Sequence, residues 1–202
     1  MQVRSKDKIE HLKKVSTSEG IISALAIDQR SSIRKSLTEM DVEIDSNRIE
    51  DFKALISSEM TKYTSSILLD PEYGQKAARE KYEGAGLIMA YEVTGFDKDE
   101  VGRLPHLLKD WSVKRLKELG ADAIKILLYY DVDEDDEIND QKKVFVERIG
   151  SECDGEGLPF FLEIISYDAN LESIKGLDYA KVKPKKVNEA VKVFSEDRYH
   201  VD

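Results

Sequence analysis

The chain is poor in cysteine, proline, histidine and tryptophan: its 202 residues include one Cys, four Pro, three His and one Trp. The single Cys153 excludes an internal disulfide and a metal site built on cysteines. The three histidines, His11, His106 and His200, lie far apart and form no ligand motif; His106, at an expected helix start, reads as a surface residue. Positive charge is also in short supply. Thirty-one Lys and Arg face 41 Asp and Glu, a net charge of -10. Such a chain carries no electrostatic footprint for nucleic acid and no basic patch for anionic lipid. No run approaches the roughly 18 continuous apolar residues of a membrane span. The opening MQVRSKDKIEHLKKV has bases with no apolar stretch after them, so no secretory signal is expected. No Pro/Gly linker or low-complexity tract divides the sequence. These absences describe a soluble cytoplasmic protein with one core.

What the sequence does have is five short apolar runs: IISALAI (21–27), SSILL (65–69), LIMAY (87–91), AIKILLYY (123–130) and PFFLEII (159–165). Each is nearly continuous rather than alternating, as parallel strands covered on both faces require. Charged segments with helical spacing lie between them, after an opening helix at about 6–16. In RIEDFKALISSEMTKY, the spacing puts Ile49, Phe52, Leu55, Ile56 and Met60 on one face. In LPHLLKDWSVKRLKELGA, a broad stripe runs from Leu107 to Leu119, and Gly120 is the stop. INDQKKVFVERIGSE repeats the pattern with Ile138, Val144, Phe145 and Ile149. Strand and helix in alternation indicate βαβ units. From Ile21 to Pro159 is 138 residues for four repeats, about 34 each. At that rate a closed (β/α)8 barrel takes roughly 290–320 residues. Five units are present, with the start of a sixth at the end; a doubly wound five-strand sheet also fits the count.

The polar residues fall at the ends of these runs. Asp28 closes the first, Asp70 the second and Glu92 the third; Lys125 lies inside the fourth and Glu163 inside the fifth. Carboxyl ends of parallel strands are where barrels and open α/β sheets place their sites. Lys125 and Glu163 each sit between apolar neighbours, where an isolated charge is costly. Such surroundings lower a lysine pKa and raise a glutamate pKa, unless each meets an opposite charge. A structural ion pair and a catalytic pair are both open readings. Asp70 and Glu92 either serve in the pocket or cap the following helices, and a supporting role is expected of them. Arg30 either pairs with the nearby Asp28 or meets a phosphate.

Two motifs fail on inspection. DVDEDDEINDQK (131–142) places Asp131, Asp133 and Asp135 as in a calcium loop. It has Asp136 where glycine is needed and Lys142 where glutamate should be, so no metal site is expected. GAGLIM (84–89) lacks a third glycine and precedes a strand, which disfavours a dinucleotide site.

The blocks GIISALAIDQR, YTSSILLDPEYG, DWSVKRLKELGADAIKILLYYDVD, ERIGSEC, PFFLEIISYD and YAKVKPKKVNEAVKVFS together resemble the class I tagatose 1,6-bisphosphate aldolases, from about residue 8 to the last. The resemblance implies an α/β fold, a (β/α)8 TIM barrel of which residues 1–202 are the N-terminal portion, about five β/α units. It implies a lyase that reversibly splits tagatose 1,6-bisphosphate into dihydroxyacetone phosphate and glyceraldehyde 3-phosphate. No metal or other cofactor is implied, because a lysine amine forms a Schiff base with the ketone. It makes Asp28, Lys125 and Glu163 the catalytic residues: Asp28 with Gln29 meeting substrate hydroxyls, Lys125 as the non-covalent lysine, and Glu163 as general acid/base. Gln29 and Arg30 are the implied substrate-binding residues. The partner is thus a small sugar bisphosphate, with no nucleic acid and no membrane; a homo-oligomer is left open.

The family's Schiff-base lysine is on the sixth strand, just past RYHVD, so the sequence reads as part of a longer barrel and inactive alone. As a complete product it would expose the first and fifth strands as sheet edges. Three alternatives stand beside this reading. One is a transaldolase-like enzyme with Lys125 as the Schiff-base lysine. Another is a related aldolase for a sulfo-sugar phosphate. The third is a fragment that binds a sugar phosphate or a protein without catalysis.

Overall fold

The computed structural model describes residues 5–39, 45–93, 95–97, 99–171 and 175–202. Helix α1 (Lys6–Val15) leads into five strands: β1 (Ala24–Ala26), β2 (Ser66–Leu69), β3 (Gly86–Ala90), β4 (Ala123–Tyr130) and β5 (Phe160–Ser166). Between and after them come α2 (Ser31–Glu39), α3 (Ser46–Met60), α4 (Gln75–Glu80), α5 (Val113–Glu118), α6 (Asp136–Gly155) and α7 (Leu177–Phe194). The strands form one parallel sheet in chain order. The register runs Leu25↔Ile67, Ile67↔Leu87, Met89↔Ile124 and Ile124↔Phe160. All five apolar runs of the sequence therefore contain strands, although the first contributes only three residues.

The two faces of the sheet have different jobs. Ile67, Leu87, Met89, Ile124, Ile126, Leu128 and Phe160 pack outward against the helices in the main core. The alternate residues Leu68, Ile88, Ala123 and Phe161 form a second cluster, which Val15 at the end of α1 closes. Helix α1 meets the sheet so closely that a Cβ on Gly86 would lie 2.5 Å from the Lys14 carbonyl oxygen and 2.8 Å from Val15 Cα. Ser65 Oγ adds a 2.7 Å hydrogen bond to the Val15 carbonyl. Polar residues then occupy the inner face one layer up, at Lys125 and Glu163.

The sheet is strongly curled. Strands β1 and β4 are three positions apart, which in a flat sheet would separate them by about 14 Å. Lys125 on β4 nevertheless touches Asp28, two residues past β1, at 3.0 Å. A parallel sheet curled with helices outside is half-barrel architecture.

Several local expectations give way. Helix α3 buries Ile49, Lys53, Ala54 and Ser57, while Phe52 and Leu55 are exposed. Polar anchors set this rotation: buried Lys53 pairs with buried Asp70, and Ser57 Oγ donates to the Ala77 carbonyl at 2.8 Å. The segment 104–121 is helical only over Val113–Glu118. Ser112 starts that helix, its side chain accepting from Arg115 N, while Leu107 bridges antiparallel to Glu92. In α6, Val146 and Ile149 are buried but Val144 is exposed. Helix α7 runs through Pro184, and α2 and α4 fill segments in which the sequence pattern showed no helix. Among the described residues, no helix is long and apolar enough to cross a membrane.

Gly86→Ala forces a side chain into the backbone of α1. It is expected to cost about 1–3 kcal/mol, the range for overpacking a filled core. Urea unfolding measures this, and an unchanged midpoint would contradict the close packing of α1.

Candidate active site

Four chain segments converge on the Lys125 ammonium. Lys125 sits on the inner face of β4 and is 4% exposed. Asp28 Oδ2 accepts from its Nζ at 3.0 Å, Glu92 Oε1 lies at 3.1 Å and Glu163 Oε2 at 2.8 Å. Asp28 follows β1, Glu92 follows β3 and Glu163 belongs to β5. The three residues that sequence reasoning selected are thus brought together, and Gln29 lines the same cavity of about 130 Å³.

Burial alone would lower the Lys125 pKa. The charges of Glu92 and Asp28, then the Glu163 hydrogen bond, overcome it and raise the pKa above the ordinary lysine range. The amine is therefore held protonated with all three N–H groups engaged. Glu163 is less enclosed than its apolar sequence neighbours indicated: half of its side chain is open to solvent. Three carboxylates against one ammonium leave the cluster with two formal negative charges.

Arg30 does not pair with Asp28. Its Nη1 donates to Glu72 Oε2 at 2.6 Å and its Nη2 to the Glu92 carbonyl at 2.7 Å. Asp28 is engaged by Lys125, and Glu72 offers Arg30 an acid on the loop after β2. Arg30 lines a neighbouring cavity of about 540 Å³ with Arg34, Tyr73 and Trp111. Asp70 is structural but caps no helix, since α4 starts after Gly74 without a side-chain cap. It pairs with Lys53 and accepts from the backbone N–H groups of Glu72 and Tyr73 at 3.0 and 2.8 Å.

Of the two roles open to Glu92, the structure gives the pocket rather than the expected supporting one: it faces Lys125 and lines the cavity. Its place at the end of LIMAY, matching Asp28 at the end of IISALAI, was the available signal. The link between β3 and α5 fixes it. Val93 N donates to the His106 carbonyl at 2.8 Å, and Leu108 N to the Tyr91 carbonyl at 3.1 Å. The Arg103 guanidinium anchors this excursion, stacked 4.1 Å from the Tyr167 ring and 4.9 Å from Phe96. Tyr167 Oη in turn donates to Glu134 Oε2 at 2.8 Å and accepts from Lys142 Nζ at 3.0 Å.

The acidic run after β4 is a structural cluster. Lys186 of α7 pairs with Asp131, with Asp133 at 3.0 Å and with Asp168 at 3.3 Å. Asp135 caps α6 through Glu137 N. An ammonium thus occupies the centre that a cation would need.

Lys125→Met leaves three carboxylates facing one another. At neutral pH it is expected to cost about 3–5 kcal/mol, the range for breaking a buried pair. Because the folded-state pKa of Lys125 is raised, its contribution is complete below the unfolded lysine value of about 10.4 and is lost as pH climbs above it. Urea titrations of wild type and variant from pH 7 to 11 should show the gap narrowing only at the alkaline end. A gap that widens there would contradict the assignment.

Comparison with known proteins gives the family and the fold. A family model described as DeoC/LacD family aldolase matches residues 22–202. A protein of Enterococcus faecalis named tagatose 1,6-diphosphate aldolase 2 is 61% identical over 189 residues, covering 94% of this chain and 57% of the relative. A tagatose 1,6-diphosphate aldolase of Staphylococcus epidermidis is 54% identical over 200 residues, covering 98% of this chain and 62% of the relative. The chain thus spans about three fifths of the length of these curated relatives. Two solved structures share the fold at low identity. A Corynebacterium glutamicum protein superposes with a TM-score of 0.61 at 13% identity, covering 94% of this chain and 65% of its own. A Schiff base-forming fructose-1,6-bisphosphate aldolase superposes with a TM-score of 0.56 at 15% identity, covering 91% and 66%. The family match across all five strands establishes the assignment: this chain belongs to the DeoC/LacD family of aldolases.

Proposed function

We propose that these residues are the N-terminal part of a single cytoplasmic (β/α)8 barrel that reversibly cleaves tagatose 1,6-bisphosphate by way of a lysine imine. The products are dihydroxyacetone phosphate and glyceraldehyde 3-phosphate. The observation that carries the reading is the protonated Lys125 inside three carboxylates on the inner rim of a curled parallel sheet. The naming of the curated relatives supports the substrate.

The chemistry fits the electrostatics. A lysine amine adds to the ketone C2 and the carbinolamine loses water, giving an iminium cation. Removal of the C4 hydroxyl proton then breaks the C3–C4 bond, whose electrons pass to the iminium to leave an enamine and a free aldehyde. Protonation at C3 and hydrolysis return the lysine and dihydroxyacetone phosphate. A site with two surplus negative charges favours the cationic iminium. Glu163, half exposed and hydrogen-bonded to Lys125, is the group we assign to giving and taking protons. Asp28 and Gln29 receive the substrate hydroxyls, and Arg30 is the phosphate-side residue.

Lys125 is poorly suited to be the nucleophile. An amine must lose its proton to attack a carbonyl, and three carboxylates hold that proton in place. Its suitable role is as a fixed positive charge beside developing oxyanion charge. We therefore assign the imine to another lysine of the full-length gene product.

Borohydride reduction of that product in the presence of dihydroxyacetone phosphate, followed by peptide mapping, is expected to label a lysine other than Lys125. Label on Lys125 would favour the transaldolase-like alternative. Glu163→Gln is expected to lower kcat about 10²–10⁴-fold, the range for loss of a general acid/base. Activity with tagatose 1,6-bisphosphate within threefold of wild type would remove Glu163 from that role.

A further inference from the structure

Glu92 holds a carboxylate oxygen that no described residue meets. The residue is 4% exposed. Its Oε1 takes the Lys125 hydrogen bond, but among the described residues no group donates to its buried Oε2. Lys125 has no proton to spare, because its three N–H groups are directed to Asp28, Glu92 and Glu163. The backbone of Glu92 is also tied down. Its carbonyl accepts from Arg30 Nη2 at 2.7 Å, and its strand segment bridges to Leu107. The side chain therefore has little freedom to seek water outside. A carboxylate oxygen buried without a donor is unfavourable, and a ligand or an ordered water in the adjoining cavity is what can supply one.

The cavity decides what that donor is. Glu92 lines the same space as Asp28, Gln29, Lys125 and Glu163. A phosphate brings further negative charge to a cluster that already carries two surplus charges, and a ketone oxygen can only accept. A hydroxyl has the proton that Oε2 lacks. We propose that Glu92 is a substrate-binding residue whose Oε2 accepts a hydrogen bond from a hydroxyl on the carbon chain of the sugar phosphate. This rests on the aldolase reading above and adds Glu92 to the five side chains named there. A polar pocket built to meet a hydroxyl rejects the analogue lacking it far more strongly than an apolar pocket rejects an added group.

The test pairs a side-chain change with deletion of a substrate hydroxyl, in the full-length gene product running in the condensation direction. Dihydroxyacetone phosphate is compared with hydroxyacetone phosphate as donor. Glyceraldehyde 3-phosphate is compared with 3-oxopropyl phosphate as acceptor. Wild type should lose at least tenfold in kcat/KM on at least one deletion. In Glu92→Gln, where an amide nitrogen replaces the acceptor, that penalty should shrink at least tenfold. A merely structural role lowers activity on both members of a pair alike and leaves the penalties intact, which would overturn the proposal. Absence of any penalty in wild type would overturn it too. Wild-type protein that turns over none of these substrates would defeat the aldolase reading itself, and this inference with it. Should Glu92→Gln fail to fold, Glu92→Asp keeps the charge, draws Oε2 back by one methylene, and is read by the same criterion.

Discussion

The Lys125 ammonium is the point on which the site depends. It receives a carboxylate from the end of β1, another from beyond β3 and a third from β5, so it can be satisfied only if the sheet curls. A flat arrangement would leave a buried lysine facing apolar neighbours, at a cost the fold could not easily bear. The cluster does not drive the curl by itself, because three acids around one base repel each other. That work belongs to the apolar faces. The outer face packs on the helices, and the inner floor is closed by Val15 and the tight contact of α1 with Gly86. Hydrophobic burial bends the sheet; the bend makes the charge cluster affordable; the cluster sets the chemistry.

Around the same rim, further polar contacts fix the loops. Lys53 with Asp70 holds the link after β2 to α3, and Arg30 with Glu72 joins the loops after β1 and β2. Lys186 gathers Asp131, Asp133 and Asp168 so that α7 is tied to the loops after β4 and β5. The excursion after β3 is held differently, by a guanidinium stacked among aromatic rings. Loops carry function in such folds, and a carboxylate must sit within a fraction of an ångström to be useful. These anchors are the physical means by which the loops hold Glu92 and Asp28 against Lys125.

Much of this was legible in the chain, and the exceptions have specific causes. The strands were visible because parallel strands buried on both faces read as continuous apolar runs. Asp28, Lys125 and Glu163 stood out because polar residues at or within such runs need a reason. The inward face of α3 was misread because its burial follows Lys53 and Ser57, which have partners just after β2 and on α4 that no local pattern reveals. The helix drawn through 104–111 failed because Leu107 and Leu108 bury themselves from a loop, paired with the end of β3. Periodicity cannot separate a helical stripe from a packed loop when both bury the same residues.

The sequence by itself determined the parallel α/β architecture and three members of the charge cluster, because strand burial and strand-end polarity are local patterns; the family came from the resemblance of whole sequence blocks, not from those patterns. The tertiary structure alone decided that Glu92 joins them, that Arg30 turns to Glu72, and that Lys125 is a locked cation. Those outcomes depend on which distant carboxylate lies within about 3 Å of a given base, a range set by hydrogen-bond geometry. Only the curvature of the whole sheet fixes such distances.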